Sequence, residues 1–195
     1  ANYAVLNPLT KTSAMVLSNA NLTYTANATS YANTNATIQM PATGKWYFEA
    51  YINTLATYSL NSTQYDNIKI GISGSDGLYS IDATDSLGFS NYSISTPTSG
   101  AYDPAGLGGS NSGDTMKVAY DAATGKLWLG AKGSWSGGGN PSTGTTPTYT
   151  TVGTAGTYFP RAVVFENSVG SANFGQRPFT YTAPTGFLPL NTFNI

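Results

Sequence analysis

The sequence predicts an all-β fold, an antiparallel β-sandwich with long Gly/Ser/Pro loops, and three observations carry that expectation. Alternation with a period of two recurs along the chain, helix-period stretches are absent, and Gly, Pro, Asn, Thr and Ser punctuate it at short intervals. Between Lys45 and Ile52, Trp46, Phe48, Ala50 and Ile52 share one face, while Tyr47, Glu49 and Tyr51 share the other. The Trp46 face is the expected core. Ile68, Ile70 and Ile72 repeat the pattern around Lys69 and Gly71, and Met116, Val118 and Tyr120 repeat it after Asp114. Tyr120 to Leu129 reads as two strands joined by a tight turn, with Asp121 and Gly125 supplying the turn chemistry. Tyr158 to Phe165 and Ala172 to Phe174 supply further strands, and Pro160 makes the first of these a strand start or an edge. The rings of Trp46, Phe48, Trp128 and Phe174 are expected between two stacked sheets.

A chain of 195 residues fits one domain. Residues 1–43 read as N-terminal strands or as an arm gripping a neighbour, 44–187 as the core and 188–195 as a tail. Gly74 to Asp85, Pro97 to Gly113 and Gly133 to Thr148 read as long loops, which in a compact domain are usually functional or mobile. The start at Ala1-Asn2-Tyr3 reads as a mature N-terminus.

Composition excludes several function classes. Only 9% of residues are charged, with a net charge of −1, so the surface is dressed in Asn, Thr, Ser, Gly and Tyr. No basic run offers the phosphate neutralisation that nucleic-acid binding requires. Weak charge repulsion between copies favours self-association. His and Cys are absent, which removes catalytic triads, disulfides and thiolate metal sites together. No apolar run is long enough to span a bilayer as a helix, so membrane insertion is not expected. No cofactor is expected either.

The remaining chemistry is thin. Glu49 and Glu166 are the two glutamates; a glycosidase needs two carboxyl groups flanking its bond, and no local motif places these together. Asp76, Asp82 and Asp85 could offer oxygen ligands to Ca²⁺, but their spacing matches no calcium-loop motif, and solvated turn residues are the preferred reading. Trp135, between Ser134 and Ser136 ahead of Gly137-Gly138-Gly139, could stack on a sugar or fill a partner's pocket. It could equally fold back to pin its own loop. With Asn140 and Tyr149 nearby, and Asp76 and Tyr79 in the 74–85 segment, it makes up the candidate binding set.

Several segments in order resemble one family. Gly44-Lys45-Trp46-Tyr47-Phe48-Glu49-Ala50 is similar to the G-x-W/Y-Y-F/Y-E-V strand of SPRY domains, and Ile70-Gly71-Ile72 to their I-G-I/V strand. Gly113 to Asp121 resembles the G-D-x-V-G-V-x-x-D segment, and Leu127-Trp128-Leu129 the strand that completes its hairpin. Tyr158 to Val163 resembles the L-Y/F-P-A-V step, with Arg161 an apparent insertion or substitution, and Asn173 to Phe179 the closing N-F-G-x-x-P-F motif. The resemblance implies a concanavalin-like sandwich of bent antiparallel sheets without a general activity, presenting ligand-contacting loops at one end. After Leu129 the chain departs from the family's usual Asn-Gly. Its Trp135-Ser136-Gly137-Gly138-Gly139-Asn140-Pro141 loop, with Pro184-Thr185-Gly186-Phe187, resembles SPRY-like modules in structural proteins of tailed bacteriophages. That implies a non-enzymatic virion protein, a capsid decoration (cement) or tail-associated protein contacting other virion proteins or copies of itself. The alternatives are a carbohydrate- or receptor-binding module of the tail-fibre or adhesin type, with Trp135 and Tyr149 stacking on a host-surface glycan, and a polysaccharide-acting glycosidase using Glu49 or Glu166.

Overall fold

The structure, a computed structural model, describes residues 1–56, 66–86, 89–95, 100–101, 107–152 and 157–195. The N-terminal region forms β1 (Met15–Ser18), β2 (Thr23–Ala26) and β3 (Ala32–Asn35). Then come β4 (Lys45–Thr54), β5 (Asp66–Gly74), β6 (Gly77–Ser86), β7 (Phe89–Ser95) and β8 (Gly100–Ala101). The last are β9 (Thr115–Asp121), β10 (Lys126–Ala131), β11 (Ser134–Trp135), β12 (Phe159–Val164) and β13 (Val169–Asn173). They build two sheets, one of seven strands ordered β1-β2-β13-β4-β9-β10-β11 and one of six ordered β3-β12-β5-β6-β7-β8, with every pair antiparallel.

Alternation decides what lies between the sheets. Trp46, Phe48, Ala50 and Ile52 of β4 pack with Ile68, Ile70 and Ile72 of β5 in one cluster that also takes in Phe174. Each large apolar side chain sealed there contributes about 1.5–3 kcal/mol of burial free energy. Trp128 departs from the expectation. It is buried with Tyr47, Ala119 and Phe187 in a second cluster on the opposite face of the seven-stranded sheet. Its parity, out of phase with Leu127 and Leu129, points it outward, and residues 178–187 roof that face. β9 is consequently buried at every position.

Two further expectations change and one alternative is decided. Gly74 to Asp85 is not a long loop: β5 and β6 form a hairpin in which Gly74 pairs with Gly77. The strand alternation of Ile81 and Ala83 with Ser80 and Asp82 is there, masked by small polar residues. Residues 1–43 form strands, with Ala4, Leu6, Met15, Tyr24 and Met40 buried in the core, and no arm. The 188–195 segment is woven in as well: Leu188 bridges to Trp46, Tyr3 to Asn191, and the Ala4 amide donates to the Leu190 carbonyl at 3.0 Å. Pro160 sits one residue inside β12, which runs between β3 and β5, so the strand-start alternative is realised and the edge is not. Arg161 pairs in register with Gly71 and Asn35, a substitution without a bulge. Of Pro97 to Gly113, residues 97–99 and 102–106 lie outside the described residues.

Candidate functional site

Cross-strand register sets up the site. Asn173 of β13, Glu49 of β4 and Lys117 of β9 stand side by side, Glu49 pairing with both neighbours, on the outer face of the larger sheet. Sequence parity alone makes this a solvent face. Instead Glu49 is 1% exposed, because its carboxylate fastens the segment that crosses above it. Oε1 accepts from the Tyr47 hydroxyl at 2.7 Å and the Tyr181 amide at 2.9 Å, and Oε2 from the Thr180 amide at 2.7 Å. Phe179 meets Tyr47 edge-on at 4.8 Å and Phe187 meets Trp128 at 6.1 Å. The Thr185 amide donates to Ser142 Oγ at 3.0 Å, tying this roof to the 136–148 loop.

That loop is ordered by its own bonds. Trp128 Nε1 donates to the Thr145 carbonyl at 2.9 Å, Lys126 Nζ to the Gly144 carbonyl at 3.1 Å, and Asn140 and Thr145 bridge through their backbones. Between loop and roof runs a groove of about 400 Å³ lined by Lys117, Trp135, Asn140, Ser142, Tyr181 and Thr185 among others. Lys117 forms part of its wall. Its residue is 3% exposed, and its Nζ lies 4.2 Å from the Trp135 ring centroid and 5.1 Å from that of Tyr181. Cation–π contact with both rings offsets part of that desolvation; Nζ has no hydrogen bond or ion pair among the described residues and keeps access to solvent. Burial lowers the Lys117 pKa to about 8, with the charge of Glu49 opposing the shift.

Holding an ammonium in this partly desolvated position costs stability, which gives a checkable sign. With its folded pKa depressed, Lys117 loses its proton in the folded chain first, so from about pH 8 to the ordinary lysine value near 10.4 the unfolded state binds more protons and stability rises with pH. Lys117→Met keeps the stem and removes the charge. It is expected to raise the melting temperature at pH 7 by roughly 2–4 °C, and the gain over the parent should shrink to nothing by pH 10.5. Paired thermal melts across that range check it.

The structure sorts the candidate residues into two places. Trp135 and Asn140 both line the groove. Trp135 is half-buried, edge-on to Tyr47 at 6.4 Å and over Lys117, so it pins its surroundings and presents a ring to the groove at once. Asp76, Tyr79 and Tyr149 instead meet at the β5–β6 turn. Asp76 Oδ2 accepts from the Tyr79 hydroxyl at 3.1 Å and the Tyr158 hydroxyl at 2.6 Å. The Tyr79 ring packs edge-on against Tyr149 at 5.2 Å and Tyr158 at 6.3 Å. Burial, then Asp76, pushes the Tyr158 phenol far above its ordinary value. These contacts tie one end of the sandwich together.

The reading of Asp76, Asp82 and Asp85 as loop or turn residues is corrected for Asp82. Asp82 is fully buried in mid-strand, ion-paired with Lys69 Nζ at 3.0 Å and accepting from Ser80 Oγ at 2.6 Å. Asp76 lies six residues earlier across the turn, at the tip of the hairpin and bonded to phenols. The Asp85 side chain falls outside the described residues. Among the described residues no group of three acidic side chains could hold a metal. The two glutamates are also apart: Glu49 is in the seven-stranded sheet, whereas Glu166 follows β12 of the six-stranded one.

Sequence reasoning passed over Lys117 and Tyr181. The available signal was a lysine between Met116 and Val118 in a chain with few charges. A second concavity, on the outer face of the smaller sheet, was also missed. Its lining includes Tyr31, Asn33, Lys69 and Arg161, with Arg161 donating to Asn33 Oδ1 at 2.6 Å and Asn35 Oδ1 at 3.3 Å.

Solved structures share this architecture. The SPRY domain of human HERC1 aligns with a TM-score of 0.61 at 12% identity, covering 89% of this chain and 99% of that one. The PSpry domain of TRIM65 aligns with a TM-score of 0.55 at 9% identity, covering 88% and 90%. No family model and no curated protein sequence matches the chain. The fold is therefore a SPRY-like β-sandwich.

Proposed function

We propose that this SPRY-like sandwich is a non-enzymatic structural protein of a tailed-bacteriophage particle, a capsid decoration or tail-associated protein that works by protein–protein contact. The observation that carries the reading is the fate of Glu49: the carboxylate best placed for chemistry is 1% exposed and has both oxygens engaged in the three hydrogen bonds that hold the C-terminal roof. A general acid or nucleophile needs a free oxygen within reach of substrate. Support for contact comes from a near-neutral exterior, together with Leu9 at 91% exposure and Phe193 at 85%. Large exposed apolar side chains are material for a partner surface.

Sedimentation of purified chain, alone and with source particles stripped of it, tests the reading. Self-assembly or stoichiometric rebinding to shell or tail is the expected result. A chain that stays monomeric and binds neither overturns it.

A second reading is favoured by the groove. Its combination of two rings, an amide, hydroxyls and one cation is what a small polar ligand requires, which supports a carbohydrate- or receptor-binding role on the same particle.

A further inference from the structure

We propose that the groove at Lys117 is a binding site for an acidic sugar, whose carboxylate supplies the acceptor that no protein group gives the Lys117 ammonium. The inference rests on the second reading above, that the groove holds a ligand, and names the ligand's class.

Four observations converge. The Lys117 stem is buried while its Nζ keeps access to solvent at the groove wall, and among the described residues nothing accepts from it. Its one acidic neighbour across the strands, Glu49, is committed to Tyr47, Thr180 and Tyr181. Among the described residues the groove lining contains no Asp or Glu, so the carboxylates nearest an incoming acid, Glu49 and Asp114, act from outside the lining. The remaining lining fits a pyranose: Trp135 and Tyr181 offer ring surface, and Asn140, Ser142 and Thr185 offer an amide and hydroxyls. At about 400 Å³ the space suits one sugar unit.

A charge-assisted bond between ammonium and carboxylate is stronger than a neutral one, and more so where water is excluded. Selectivity for the acid over its neutral counterpart is thus the signature. The groups facing Lys117 are Glu49 of β4, Trp135 of β11 and Tyr181 of the roof.

The experiment titrates purified chain with glucuronate and galacturonate against glucose and galactose, reading tryptophan fluorescence and the ε-methylene NMR signals of labelled lysine. Uronates are expected to bind at least tenfold more tightly, with one lysine signal shifting. Lys117→Met should abolish the preference, and Trp135→Ala should weaken all sugars. Equal binding of acid and neutral sugar, no binding of either, or a uronate preference that survives Lys117→Met overturns the proposal. So does acetate, or a peptide bearing a free carboxylate, binding through Lys117 as tightly as the uronates do. The assay uses the isolated chain, so its failure leaves the particle-binding result standing.

Discussion

Replacing Glu49 with alanine is expected to cost on the order of 3–5 kcal/mol of stability and to release the roof from the larger sheet. The deleted carboxylate satisfies the Tyr47 hydroxyl and the Thr180 and Tyr181 amides in a site 1% exposed. Those donors have no other partner in place, and a buried donor left unpaired costs about 1–3 kcal/mol. Glu49→Gln should fall between parent and alanine variant, because one carbonyl oxygen still accepts while the amide nitrogen faces other donors. Removing the charge also removes the field that holds the Lys117 pKa up, so that amine should titrate lower still. Urea unfolding of the three proteins measures the first effect. An alanine variant within 1 kcal/mol of the parent would show that the roof is held by something else.

Gly71→Ala is the second large effect, and it explains why a glycine sits between two core isoleucines. A Cβ built there would lie 1.9 Å from the Tyr79 carbonyl oxygen and 2.7 Å from Ser80 Cα, both backbone atoms of β6. No side chain can swing aside. The β5–β6 ladder must open, carrying Ile81 and Ala83 out of the core, for a loss of roughly 3–5 kcal/mol or failure to fold. Gly138→Ala is the control. Its φ of +71° strains an alanine, but a Cβ there meets nothing within 4 Å, so the cost should stay near 1–2 kcal/mol. Thermal melts and soluble yield of the pair separate steric closure from backbone conformation.

The core face of β4 is legible in the sequence because Trp46, Phe48, Ala50 and Ile52 alternate without a break, and period-two alternation is a local property. The turn at Asp121 to Gly125 is legible for the same reason: Gly125 takes φ +70°, and the side chain of Asp121 accepts the Thr124 amide at 3.4 Å. The burial of Glu49 is not local. Its cover arrives 131 and 132 residues later, so parity points Tyr47 and Glu49 away from the first core and says nothing about a second layer, and the expectation for Trp128 fails for the same reason. Lys117 stays hidden for that reason. The β6 strand is obscured differently, since Ser80, Asp82 and Gly77 carry loop-like composition on a strand whose inner face is apolar. Trp135 and Asn140 are found through loop composition, which marks where a groove can form but not the cation set into it.

Amide hydrogen exchange at Thr180 and Tyr181 tests the roofed face most directly. Both residues lie outside every strand of the two sheets, yet their amides donate to a buried carboxylate. They should exchange as slowly as amides in the middle of β4 and β9. Exchange at the rate of an open loop would mean that the roof is detached, the groove unbuilt and Lys117 exposed to water.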